Sequence, residues 1–176
     1  EALAAADVVD HMNRWSIGMS IAMGFPFERE DFCRVQNDGL IAAAGAFPGS
    51  ILPFASISPL CRDPRAAVGE IREMGFAGVG EIAFYRTALG ADRENWLDGL
   101  LTGAEEMSLP VCFHVNEPLG HGYTGKYMTD FSLLYRVIER HQGVTIILSH
   151  WGGGILFYEL MPEVRRAFGR VYYDTA

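Results

Sequence analysis

Short apolar runs return along this chain at the step of one strand, one helix and the two turns that join them. The runs cover residues 16–23, 51–57, 77–83, 110–115, 144–149 and 171–174, and their first residues stand 35, 26, 33, 34 and 27 positions apart. A strand-turn-helix-turn unit needs about 30 residues. The runs do not alternate with polar residues, and the one beginning at Val144 (Val-Thr-Ile-Ile-Leu-Ser) is nearly continuous. Strands covered on both faces read this way, which is the pattern of a parallel sheet.

The segments between the runs carry helix signals at their ends. Asp63-Pro64 reads as an N-cap followed by proline at the first helical position, and Gly75 as a left-handed stop. Between them Val68, Ile71 and Met74 recur every third residue and predict one buried stripe. Asp92 is expected to open a helix that buries Trp96, Leu97, Leu100, Leu101 and Ala104. Thr129 or Asp130 is expected to open another, with Leu133, Leu134, Val137 and Ile138 inward and Gly143 at its end. Pro162 interrupts the stretch 155–168 and predicts a kink or a fresh start there, with Gly169 as the stop.

Six βα units fit two architectures, an open doubly wound sheet or part of a (β/α)8 TIM barrel. The open sheet would hold a nucleotide on a glycine-rich first turn, but Gly24-Phe25-Pro26-Phe27 is not that fingerprint, and no P-loop is present. A barrel would be short by about two units. At 176 residues and 49% apolar, the chain predicts a single α/β domain over 1–176 with a sizeable core. Twenty-two acidic against 14 basic side chains give a formal charge of −8, which speaks against a nucleic-acid partner. The longest uncharged run, 39–61, is broken by Pro48, Pro53 and Pro59, so no membrane span is expected. Cys33, Cys61 and Cys112 are odd in number and include no CxxC, which predicts free thiols and a cytoplasmic location.

In parallel α/β proteins the working residues sit where strands end. Four successive runs end near Glu81, His114, His150 and Asp174. Acids and imidazoles are the groups that bind metals and move protons. Two His at matched strand ends, flanked by acids, read as a site. For Glu81 an ion pair with Arg86 is the equal alternative, and for Asp174 a cap on the next helix is the preferred reading. His11 and His141 read as surface residues. The loop 116–126 is long for a βα connection and carries His121, Tyr123 and Lys126. It is either a functional loop over the site or simply solvated. Gly152-Gly153-Gly154 either cradles an anion or lets the chain turn tightly. Phe25, Phe27 and Trp151 read first as packing.

Leu-Pro-Val-Cys-Phe-His-Val-Asn-Glu-Pro from Leu109, Val-Thr-Ile-Ile-Leu-Ser-His-Trp-Gly-Gly-Gly from Val144 and Val-Tyr-Tyr-Asp-Thr from Val171 together resemble the amidohydrolase superfamily. The similar branch is the one that includes aminocarboxymuconate-semialdehyde decarboxylase. Asn37-Asp38, the run from Ile51 and Gly-Phe-Ala-Gly-Val-Gly-Glu from Gly75 follow the same order, so the resemblance covers essentially the whole chain. It implies a distorted (β/α)8 barrel with one divalent metal, commonly zinc, at the C-terminal mouth of its strands. His114 falls on the fifth-strand metal ligand and Glu81 on the fourth-strand region. His150 falls on a sixth-strand His that is a ligand in some members and a catalytic group in others; it is taken here as catalytic. Trp151, Tyr123 and Lys126 are the expected substrate contacts.

The family's HxH pair on the first strand and its Asp on the eighth are not found, and Asp174 belongs to the seventh. The chain is thus expected to cover about strands 2 to 7. The function expected from the resemblance is a metal-dependent hydrolase acting on a small carboxylate, lactone or amide. The alternatives are a metal-dependent decarboxylase of an aromatic or unsaturated acid, and an inert scaffold that keeps only the barrel's packing. A small molecule is the expected partner. Open sheet edges would also favour a homo-oligomer.

Overall fold

The structure, a computed structural model, describes residues 4–85 and 93–175. Its elements follow the order α1 (Ala5–Arg14), β1 (Ser20–Met23), α2 (Glu30–Ala46), β2 (Ile51–Ala55), α3 (Pro64–Glu73), β3 (Gly78–Ile82) and α4 (Glu94–Met107). After these come β4 (Val111–Phe113), α5 (Phe131–Arg140), β5 (Ile146–Leu148), α6 (Pro162–Ala167) and β6 (Val171–Tyr173). All six apolar runs form strands, each shorter than its run.

The six strands make one sheet in the order β1-β2-β3-β4-β5-β6, and every pair is parallel. A doubly wound sheet reverses its strand order part way. This order never reverses, so right-handed crossovers carry every helix to the same face. Neighbouring helices accordingly touch, α3 on α4, α4 on α5 and α5 on α6. The winding is that of a (β/α)8 barrel, of which these six strands form an arc.

Local signals act as the side-chain chemistry requires. Asp63 Oδ1 accepts the Ala66 N–H at 3.0 Å with Pro64 behind it, and Gly75 takes φ +91°. Val68 and Ile71 are buried, but Met74 is 47% exposed because the helix ends under it and its side chain leaves the stripe. Asp130, rather than Thr129, caps α5 by accepting the N–H groups of Ser132 and Leu133. Pro162 starts α6 afresh. Asp92 lies outside the described residues. The core joins Val79, Val111 and Leu148 from the sheet to Leu97, Leu100, Leu101, Leu133 and Leu134 from the helices. Each such side chain contributes roughly 1.5–3 kcal/mol by leaving water. The three cysteines are free. No described helix is long and apolar enough to cross a membrane.

Candidate metal centre

Register brings the polar strand ends to one level. Phe113 pairs with Leu148 and Leu148 with Tyr173, so His114, Ser149 and Asp174 each come next along their strands. The ladder continues past them, with Ser149 N–H donating to Phe113 O at 2.9 Å and Asp174 N–H to Leu148 O at 3.1 Å. His150 then enters a left-handed turn: φ is +56° at His150, +54° at Trp151, and +59°, +60° and +100° at the three glycines. The Asp174 carboxylate holds the start of that turn by accepting the His150 N–H at 2.7 Å. Asp174 therefore shapes the turn at His150.

The turn aims His150 back over the sheet. Its Nε2 lies 3.3 Å from His114 Nδ1, which in turn lies 3.3 Å from Glu81 Oε1. One ligand atom each from Glu81, His114 and His150 falls within 4.8 Å of the others. Two ligands of a tetrahedral zinc, bonded at ~2.0–2.1 Å, stand ~3.3–3.4 Å apart. The two shorter separations match that edge, and two imidazoles with one carboxylate are a donor set suited to zinc and similar divalent ions. These residues fit the metal that the resemblance implies. Arg86, the alternative partner for Glu81, lies outside the described residues.

The charges within the cluster support one another. Burial works to raise the Glu81 carboxyl, but hydrogen bonds from His114 and Ser149 outweigh it and hold the group below the usual carboxylate range. Burial likewise works against the His114 imidazolium, while hydrogen bonds to Glu81 and Asn116 and the Glu81 charge raise it overall. A carboxylate kept ionised beside two imidazoles is an attractive seat for a cation. Below the cluster, burial pushes the Cys112 thiol up to about 12, which leaves it a neutral packing group 3.6 Å from Ser149 Oγ.

The loop after β4 lies against this site. Tyr123, half exposed, donates its hydroxyl to Asn116 Oδ1 at 3.0 Å. Lys126 is engaged within the loop, its ammonium donating to Glu117 Oε1 at 2.5 Å and to the carbonyls of Leu119 and His121. Trp151, within the turn, is 52% exposed. His11 is exposed, as expected. His141 is not: it is buried, with Nε2 3.0 Å from Asp98 Oδ1, and ties α5 to α4. Ser149, Asn116 and Tyr85 join the site although their side chains carried no isolated signal. Asn116 stands two positions after His114, the spacing that returns a side chain to the same face of a strand. The Tyr85 ring lies 5.3 Å from His114 and stacks on Phe25 at 4.8 Å, extending an aromatic wall away from the donors. Phe25, Phe27, Phe84 and Tyr85 line a cavity of about 360 Å³ there.

No curated protein sequence matches this chain. Several solved structures do. One is 5-carboxyvanillate decarboxylase from Sphingomonas paucimobilis, with a TM-score of 0.68 and 15% identity over 95% of this chain and 63% of that one. A 2,6-dihydroxybenzoate decarboxylase in complex with 2,6-dihydroxybenzoate gives 0.67 and 17% over 96% and 68%. The 5-carboxyvanillate decarboxylase from Novosphingobium aromaticivorans, in complex with manganese and 4-hydroxy-3-methoxy-5-nitrobenzoic acid, gives 0.66 and 16% over 92% and 53%. The chain thus spans between about half and two thirds of the length of these structures, and at such identities the likeness shows the fold. The Amidohydrolase family profile matches residues 18–176, the whole run of six strands with every donor described above. The chain belongs to the amidohydrolase family.

Proposed function

We propose that this chain carries the metal-binding part of a hydrolase or lyase site that acts on a small carboxylate-, lactone- or amide-bearing molecule. The observation that carries this reading is the convergence of Glu81, His114 and His150. In it His150, with Nε2 3.3 Å from His114 Nδ1, is the third ligand rather than a purely catalytic group, so three protein groups hold one divalent ion. Zinc suits the donor set, and manganese is the metal named for one similar structure. The ion, when bound, supplies Lewis-acid polarisation of a substrate oxygen and lowers the pKa of coordinated water. Glu81 stays ionised across neutral pH and keeps the seat anionic. Tyr85, whose hydroxyl burial pushes up to about 12, remains a donor for a substrate oxygen. Tyr123 and Trp151 present exposed ring surface at the rim. Lys126 serves the substrate by holding the loop in place.

Hydrolysis of a lactone or amide and decarboxylation of an aromatic acid both fit such a site. The wall formed by Tyr85 and Phe25 beside His114 favours the second, because a planar ring acid stacks there with its carboxylate toward the donors. The decarboxylases among the similar structures support the same choice.

Elemental analysis of the purified protein beside His114→Ala tests the metal. About one divalent ion per chain, lost in the variant, is expected. No ion after incubation with zinc or manganese overturns the reading. Carbon dioxide release from dihydroxybenzoates, set against ring opening of lactones, then separates the two reactions.

A further inference from the structure

We infer that Asn116 and Tyr123 form a positioning pair that fixes the His114 ring, so that Nδ1 and not Nε2 faces the donor cluster. His114 Nε2 stands 3.1 Å from Asn116 Oδ1, and the same oxygen accepts the Tyr123 hydroxyl at 3.0 Å. An amide oxygen only accepts, so the ring nitrogen facing it carries the proton. The nitrogen that faces the cluster is Nδ1, 3.3 Å from Glu81 Oε1 and 3.3 Å from His150 Nε2; the hydrogen bond it gives the Glu81 carboxylate is the contact a metal would replace. A flip of the ring by half a turn would put carbon atoms where both nitrogens now make contacts. The Asn116–Nε2 bond opposes that flip.

The pair is itself held. Asn116 is buried and its backbone N–H donates to Thr129 Oγ1 at 3.1 Å, so the oxygen that meets His114 sits on a fixed backbone. Tyr123 belongs to the loop that Lys126 gathers through Glu117, Leu119 and His121, and the Lys126 ammonium also lies 5.6 Å from the Tyr123 ring centre. The loop closes on Asn116, and Asn116 on His114. Outer partners of this kind fix which nitrogen of a histidine meets a metal, and removing one weakens metal binding ~10–100-fold.

The inference rests on the metal reading for its consequence but not for its geometry, so the test has two arms. In the metal-free protein labelled with ¹⁵N-histidine, the His114 Nε2–H signal, assigned by its absence in His114→Gln, is expected to be present and slow to exchange. Asn116→Leu removes the acceptor and is expected to lose the signal. Asn116→Asp keeps an acceptor oxygen and is expected to retain it. Tyr123→Phe removes only a hydroxyl from a half-exposed ring and is expected to speed exchange several-fold, which keeps the test open if Asn116→Leu does not fold. In the second arm zinc is titrated into each protein. Affinity is expected to fall ~10–100-fold in Asn116→Leu and by no more than about threefold in Asn116→Asp. A wild-type protein that shows the protected Nε2–H but binds no zinc sinks the metal reading and leaves the positioning pair standing. An unprotected Nε2–H in the wild type, an unchanged signal in Asn116→Leu or, where that variant does not fold, an unchanged exchange rate in Tyr123→Phe overturns the pair.

Discussion

Substituting alanine in turn at Gly153 and Gly154 separates the intrinsic strain of the left-handed turn from its contact with the site. Both residues have positive φ, +60° and +100°, so alanine at either suffers the clash between Cβ and the following carbonyl, about 1–2 kcal/mol. Their surroundings differ. A Cβ at Gly154 meets nothing within 4 Å, whereas one at Gly153 falls 2.8 Å from the Asn116 carbonyl oxygen and 3.1 Å from Val115 Cγ1. Ordinary C···O contacts lie at roughly 3.3–3.6 Å, so the Asn116 carbonyl has to retreat by about 0.5 Å. Forcing a methyl into packed surroundings adds roughly 1–3 kcal/mol. Gly153→Ala is therefore expected to lose that much more stability than Gly154→Ala in equilibrium urea unfolding. At roughly 2–4 °C per kcal/mol for a chain of this size, its Tm falls a further 2–12 °C or so. The displaced residue is the one that holds His114, so zinc affinity is expected to drop about tenfold or more in Gly153→Ala, with a smaller change in Gly154→Ala. If Gly153→Ala melts together with or above Gly154→Ala, the packing of the turn against Asn116 is not as described.

Two further outcomes follow from the helix layer. Burial raises the Asp98 carboxyl, but hydrogen bonds from Arg140 and His141 outweigh it and hold it below its ordinary value. Its contribution is thus present above the unfolded-state pKa, near 4, and is lost as pH falls through the lower folded value. At the surface this amounts to about 0.2–1 kcal/mol, weakened by salt, so Asp98→Asn should flatten the acid limb of an unfolding-midpoint-against-pH curve by that amount. An unchanged limb would show that the ion pairs with Arg140 and His141 contribute nothing measurable. Leu100, on the buried face of α4, is fully buried in the core, and Leu100→Ala should cost about 2–5 kcal/mol in urea unfolding. A loss under 1 kcal/mol would mean that the layer collapses around the gap.

Much of the architecture was legible in the one-dimensional pattern because strand and helix periodicity are local properties. The six runs became six strands, and Asp63, Pro64, Gly75 and Pro162 mark boundaries with side chains or backbone limits that act within a few residues. His141 shows where this legibility stops. A polar residue at a helix end reads as exposed, and only the packing of α5 on α4 placed Asp98 against it. Met74 fails in the other direction: its spacing continues a buried stripe, but the helix stops before it could be covered.

The candidate site divides in the same way. Glu81, His114 and His150 stand out in the sequence because strand ends that carry acids and imidazoles are uncommon by residue type. Their meeting is tertiary. It depends on the registers of β4, β5 and β6, on a left-handed turn held by a carboxylate 24 residues away, and on the side to which each ring nitrogen points. Asn116 and Tyr123 depend on tertiary structure still more, since an amide two positions after a histidine is commonplace until a loop folds a hydroxyl onto the same oxygen. Residue type and spacing determined the winding and the candidate donors, because those follow from burial and backbone periodicity along the chain. Which donors share a centre, and through which atom each faces it, was decided only in three dimensions, because hydrogen-bond geometry joins residues that the sequence keeps apart.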